Sequence, residues 1–358
     1  MLRLAVVGIG RIGRMHALHT QEAAIESDQA QLSALVDSDI DRARRTAELL
    51  APAQKTAISV FATVEDLIDS GVADASVVCT PTDAHRQHAT LLAQAGQRIL
   101  LEKPLTGTMQ ADREFAAWLD QNYPHAVMLA FQRRFDGALQ YAKQLMESGT
   151  VGRVFKVVSC LEDSSPAPDG YNSSGILPDM SVHNVDEILW LTGQTPQAAA
   201  VIGNCIYSRK LSTAVEDYDD AMLYLWYPDE LEAQVTVSRN HVSGYRVETW
   251  IYGERGQIHV GRFEQNHHEV VVEAYGRRHR KEPLAFQRFP QRQYGEAMPE
   301  FADRFGNAYK TEVAEFLSKC VAGKEFSVTH RDGVRAMEVI DAGMRAVIDR
   351  KSGARVAL

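Results

Sequence analysis

At 358 residues the chain exceeds what one hydrophobic core fills, so two domains are expected. A hydrophobic share of 45% and a charged share of 24% are those of a soluble globular protein, and a net charge of -9 argues against nucleic acid or an anionic membrane as the main partner. Cys79, Cys160, Cys205 and Cys320 lie far apart with no CxxC pair, which argues against a disulfide framework or a zinc cage and for reduced thiols in a cytoplasmic protein. The N-terminus enters a strand directly, and no apolar run approaches membrane-spanning length. The basic run Arg277-Arg278-His279-Arg280-Lys281 is short and lacks interleaved aromatics, so it reads as a solvated turn or an oligomer contact.

Up to residue 124 the chain alternates strand-like and helix-like segments. Strands are expected at Leu2–Val7, Leu32–Val36, Ala57–Phe61, Ala75–Cys79, Arg98–Leu101 and Val127–Phe131, mostly as continuous apolar runs, the pattern of parallel strands covered on both faces. Helices are expected between them at Ile12–Ile25, Asp41–Leu50, Val64–Ser70, Ala84–Ala95 and Gln110–Gln121. Thr63 reads as an N-cap before an acidic first turn, and Gly96 as a left-handed cap. This alternation implies a Rossmann-type doubly wound α/β sheet over residues 1–124.

From 125 to 358 the texture is that of an α+β domain that binds substrate and forms oligomer contacts. A helix at Gly137–Glu147 leads into a strand at Val154–Leu161, then a polar stretch from Glu162 to Gly175 that is suited to line or cover a site. A helix at Met180–Leu191 precedes strands at Ala199–Tyr207, Ala221–Tyr227, Glu232–Arg239, Arg246–Tyr252, Gln257–Val260 and Glu269–Ala274. Turn signals between them imply a large, mostly antiparallel open sheet. Helices at Asn307–Ala322 and Gly333–Asp349 close the chain.

Gly8-Ile9-Gly10-Arg11-Ile12-Gly13 follows the first strand and opens a helix. Gly8 permits the tight turn, Gly10 lets the backbone approach a pyrophosphate, and Gly13 lets helix and strand pack closely. The helix start at Arg11 and Ile12 offers amides and a positive dipole end to phosphates. Asp37, 24 residues beyond Gly13, is placed to accept hydrogen bonds from the ribose hydroxyls and to repel a 2′-phosphate. Ser38-Asp39 follows it rather than an arginine, so NAD is favoured over NADP, and Asp39 reads as a helix cap. Thr80 and Pro81, after the fourth strand, are expected to wall the nicotinamide side. His85, at a helix start, reads as a contact or, more plainly, as structural, and His16, on the first helix, reads the same way.

Asp179 and His183, four apart on a helix, share a face. A carboxylate beside an imidazole fits a general base, although a surface ion pair would place the same residues together. Glu102-Lys103-Pro104 ends the fifth strand on the cofactor rim, where a lysine can hydrogen-bond a substrate oxygen and Glu102 borders the cofactor. A surface ion pair between Glu102 and Lys103 is the plainer alternative.

Taken in order, Gly8–Gly13, Asp37, Thr80-Pro81-Thr82, Glu102-Lys103-Pro104, Arg133-Arg134-Phe135-Asp136 and the run Asp179-x3-His183-x2-Asp186-x3-Trp190-Leu191 resemble the glucose–fructose oxidoreductase/inositol dehydrogenase/rhizopine catabolism family, Gfo/Idh/MocA, over essentially the whole chain. Its inositol 2-dehydrogenases look most similar. The resemblance implies Lys103, Asp179 and His183 as the catalytic set, with Arg133 and Tyr245 contacting substrate hydroxyls. It also implies a homo-oligomer, a dimer or tetramer, paired through an open sheet face. Asn184 stands where many relatives have an acid, but it turns away from the Asp179–His183 face. The segment 162–175 matches no family pattern; Asp163, Asp169, Tyr171 and Asn172 there are candidate polyol contacts.

The reading that follows is NAD-dependent oxidation of a secondary hydroxyl of a cyclic, inositol-type polyol. His183 is the base, Asp179 orients it, Lys103 polarises the reacting oxygen, and no metal is required. Rival readings are a pyranose dehydrogenase acting on an aldose or anhydrosugar, an NAD-retaining glycosidase or lyase, and a non-catalytic sugar sensor.

Overall fold

A computed structural model describes the chain except residues 54–55, 165–174, 205–217, 242–243, 262–267, 278–281, 296–297, 299 and 347–358. Cys205, Asp169, Tyr171, Asn172 and most of the basic run after Arg277 therefore lie outside the described residues. Two compact units form: Met1–Phe135 with Tyr294–Val334, and Asp136–Gln293 with Arg335–Leu358. The sequence suggests one cut near residue 124; the chain instead passes between the units after Phe135, Gln293 and Val334.

The first unit is built on β1 (Leu2–Val7), β2 (Ala30–Val36), β3 (Ser59–Phe61), β4 (Ala75–Val78), β5 (Arg98–Glu102) and β6 (Val127–Ala130). All neighbours are parallel, in the order β3-β2-β1-β4-β5-β6. The chain winds outward from β1 to β3 and then crosses to β4, so β1 and β4 flank the switch point where such sheets bind ligands. Helices α1 (Arg11–Ser27), α2 (Ile40–Leu50), α3 (Val64–Ser70), α4 (Thr82–Gln94) and α5 (Met109–Asn122) make the crossovers. Every residue of β4 and β6 is buried, which explains their unbroken apolar sequences. Local signals hold as expected: Thr63 Oγ1 accepts from the Asp66 amide at 3.1 Å, and Gly96 has φ +79°.

This unit also includes α8 (Glu300–Ala322), which starts before the Asn307 that the sequence suggests. The interior glycine there, Gly306, usually marks a helix end. Here it lies in the helix because a Cβ would collide with the Tyr294 ring.

The second unit holds α6 (Gly137–Glu147), β7 (Val154–Glu162), α7 (Val182–Thr192), β8 (Ala198–Asn204), β9 (Asp220–Trp226), β10 (Glu232–Ser238), β11 (Arg246–Gly253), β12 (Gly256–Val260), β13 (Glu269–Gly276) and β14 (Ala285–Pro290). Their order is β14-β13-β12-β11-β7-β10-β9-β8. Only the β7–β10 pair is parallel. The edge strand β14 has no strong sequence signature, because an edge needs one partner and its residues are largely exposed. The last helix, α9 (His330–Arg345), begins in the first unit and ends in the second.

Candidate active site

The glycine turn is shaped by space. Gly8 has φ +84°, and a Cβ there would sit 2.8 Å from Cys79 and Thr80 backbone atoms. A Cβ at Gly13 would strike the Gly8 carbonyl oxygen. Beside Gly10 nothing lies within 4 Å, so the backbone is open to an approaching group. No side chain caps the start of α1, which leaves that helix end available to phosphates. Arg11 is exposed and its guanidinium lies 5.5 Å from the Phe301 ring centroid, while Ile12 is half-buried.

Asp37 is 7% exposed and already well used. Its carboxylate accepts from the Ile9 amide at 2.6 Å and the Asp39 amide at 2.8 Å, so it pins the glycine turn. Asp39 caps α2 through the Arg42 amide at 3.0 Å. The sequence reading overlooks the Arg42 side chain, which lies 3.4 Å from Asp37 and 3.2 Å from Asp39. The i,i+3 spacing from the cap residue was the available clue. These residues fit a dinucleotide, and the arginine beside the acid is held by two carboxylates.

Thr80 is half-buried and Pro81 exposed. Cys79, directly after β4, is a poor nucleophile: burial, then the charges of Glu102 and Glu312, push its thiol well above the usual range. Glu102 is only 6% exposed. Its Oε1 lies 2.8 Å from His16 Nε2, and its Oε2 accepts from the Lys103 amide at 3.1 Å. The surface ion pair considered for Glu102 and Lys103 does not describe this buried carboxylate. Lys103 is half-buried, and its peptide bond to Pro104 is cis. Arg133 is 1% exposed, with its guanidinium 5.4 Å from the Phe305 ring centroid.

In the second unit the regular helix expected at Met180 begins instead with a π-helical turn, Leu177–Ser181. Pro178 lacks an amide, and the Ser181 hydroxyl donates to the Leu177 carbonyl at 2.6 Å, occupying an acceptor of the ordinary ladder. Turns of this kind often mark functional sites. Along Gly175–Leu189 every residue is buried except Asp179 and His183. The acid and the histidine of the expected pair are thus the two least enclosed residues of this stretch.

What fixes α7 is a polar anchor carried by Asn184 and Glu187. Asn184, fully buried, donates to Ser159 Oγ at 2.7 Å. Ser159 donates to Glu187 Oε1 at 3.1 Å, and Thr249 donates to the same oxygen at 2.5 Å. Asn184 thus ties the helix to β7, and Glu187 ties it to β7 and β11. At the far end Lys143 Nζ donates to the Trp190 carbonyl at 2.8 Å, where cations suit a helix C-terminus.

Strand register then brings further residues to one end of the sheet. Ser238 pairs with Glu162, and Glu162 with Arg246. Asp163, Arg239 and Tyr245 each lie one residue beyond these ends. Asp163 and Tyr245 are half-buried. Arg239, absent from the sequence reading, donates from Nη2 to Asp179 at 3.3 Å. No local spacing links residues 60 apart, so only the folded sheet reveals this pair.

Comparison with known proteins agrees with the fold. The model of the oxidoreductase family with an NAD-binding Rossmann fold, GFO_IDH_MocA, matches residues 2–129, and that of the GFO/IDH/MocA C-terminal domain matches 139–259. An inositol 2-dehydrogenase of Rhizobium meliloti is 27% identical over 354 residues, covering 98% of each chain. A scyllo-inositol 2-dehydrogenase (NAD(+)) of Bacillus subtilis is 26% identical, covering 100% of this chain and 96% of its own. The crystal structure of a myo-inositol dehydrogenase from Corynebacterium glutamicum superposes with a TM-score of 0.79 at 24% identity, covering 97% of this chain and 96% of that one.

Proposed function

This chain belongs to the Gfo/Idh/MocA oxidoreductase family, and we propose that within it the protein oxidises a secondary hydroxyl of a cyclic, inositol-type polyol to the ketone with NAD. The supporting observation is the isolation of Asp179 and His183 as the two residues not buried along Gly175–Leu189. Relatives of near-identical length that carry inositol dehydrogenase names point to the substrate class.

In this reading His183 removes the hydroxyl proton as the carbon–hydrogen bond breaks. Asp179 orients the imidazole and is itself held by Arg239. Lys103 hydrogen-bonds the reacting oxygen and stabilises charge that develops there. Tyr245 and Asp163 hold neighbouring hydroxyls. NAD, when bound, accepts the hydride; Gly8–Gly13, the start of α1 and Asp37 hold it. NAD is favoured over NADP because Asp37 repels a 2′-phosphate and Arg42 is engaged with carboxylates. Lys103 and His183 supply the polarisation that a metal would otherwise provide.

The test is turnover of inositols against hexoses with NAD, in the wild type and in His183→Ala. A positioned acid–base group is worth roughly 10²–10⁴ in rate, so the variant should lose about that factor in kcat. Undiminished turnover removes His183 from the mechanism, and a preference for hexoses replaces the polyol by a pyranose.

A further inference from the structure

One buried side chain joins the two loops assigned to the cofactor rim. His85, on α4, is 1% exposed. Its Nδ1 lies 2.8 Å from the Pro104 carbonyl oxygen and its Nε2 lies 2.9 Å from the Thr80 carbonyl oxygen. The first oxygen belongs to the turn after β5 that carries Lys103; the second belongs to the loop after β4. Carbonyl oxygens only accept, so each contact needs a proton on the facing ring nitrogen. A neutral imidazole fills one contact and an imidazolium fills both.

Burial lowers the pKa of His85, the Pro104 and Thr80 carbonyls and Glu102 act in the opposite direction, and His88 adds to the lowering. One arm of the bridge is thus filled in either state, and protonation fills the second. The surroundings brace the same loops. His88 Nδ1 lies 3.2 Å from Thr80 Oγ1, and Glu102, bonded to His16, accepts from the Lys103 amide.

We propose that His85 is a positioning residue for Lys103: it clips the Lys103-Pro104 turn to the Thr80 loop and so sets where the lysine stands. The proposal rests on Lys103 acting at the reacting oxygen. It assigns work to a histidine that the sequence alone marks as structural. The expected cost of losing the clip follows from geometry, since displacing a catalytic group by about 1 Å can cost on the order of 10²-fold in rate.

The test compares His85→Met, which keeps bulk but donates nothing, with His85→Gln, which keeps a donor. Each is measured for kcat and KM with NAD and the polyol, and for the rate at which an amine-acetylating reagent modifies Lys103, read by mass spectrometry. His85→Met should lose roughly 10- to 100-fold in kcat with KM for NAD within about threefold, and its Lys103 labelling rate should change, while His85→Gln recovers most of both. A folded His85→Met with wild-type kcat and wild-type labelling overturns the proposal. Should His85→Met fail to fold, nitrogen-15 NMR of the wild-type histidines decides. A slowly exchanging His85 ring N–H supports the clip, and a ring with no protected proton refutes it. The labelling needs no substrate, so a wrong polyol assignment leaves this test intact.

Discussion

The two sheets of this protein solve burial in different ways. The parallel sheet is covered on both faces: Leu4, Val6, Val77, Ile99, Leu100 and Met128 are 0–1% exposed. The eight-stranded sheet has one covered face, carrying Val201, Leu223, Val235, Ile251 and Ile258, each fully buried. Its other face follows from register. Ile202 pairs with Met222, Trp226 with Glu232, and Phe286 with Glu273 and then His259. There Ile202, Met222, Trp226 and Phe286 are 37–45% exposed. On the central strands β7 and β11 of that face sits an ionic cluster in which Arg246 donates to Glu162 at 3.0 Å and to Glu248 at 3.3 Å, with Trp250 Nε1 at 3.2 Å from Glu248. A sheet enclosed by helices can be apolar throughout; one with a free face must reconcile solvent with whatever comes to cover it.

The sharpest way to break this contrast is to cut equal bulk from each sheet. Leu100→Ala, in the enclosed sheet, should cost about 2–5 kcal/mol in urea unfolding. A loss below about 1 kcal/mol would mean that the parallel core is looser than its burial indicates.

The ionic cluster gives an intermediate effect with a pH signature. Burial alone would raise the Glu248 carboxyl, but His259 and Arg246 outweigh it and hold it at about 2, against an ordinary 4.5. A depressed carboxylate stabilises the fold above its unfolded value and loses that contribution as pH falls from 4.5 toward 2. The full contribution is on the order of 3 kcal/mol. Glu248→Gln should therefore be less stable than the wild type at pH 7, and the gap should narrow at pH 3. A gap of equal size at both pH values contradicts the assignment.

The smallest expected effect is Met222→Ala on the open face, within about 0.5 kcal/mol for a solvated site. Sedimentation velocity sharpens the comparison. A shift toward smaller species in Met222→Asp identifies the face as a subunit contact, and an unchanged distribution leaves it facing solvent.

Much of this molecule was legible before folding. Gly8–Gly13 and the apolar strands of the first unit rest on local rules, turn geometry and continuous burial, which neighbours in sequence satisfy. The regular helix that carries His183 was legible for the same reason, while the π-helical turn that carries Asp179 was not. β14 and the early start of α8 were not, because an edge strand needs little apolar patterning and Gly306 is explained only by the Tyr294 ring.

The sequence by itself determined the fold class, the glycine turn after β1 and the helix that carries His183. Tertiary structure alone decided what holds those residues. Arg239 beside Asp179, Arg42 beside Asp37, the Asn184–Ser159–Glu187–Thr249 anchor and the His85 bridge between two carbonyls join positions with no shared local period. Such partners are chosen by sheet order and strand register, which local spacing does not encode.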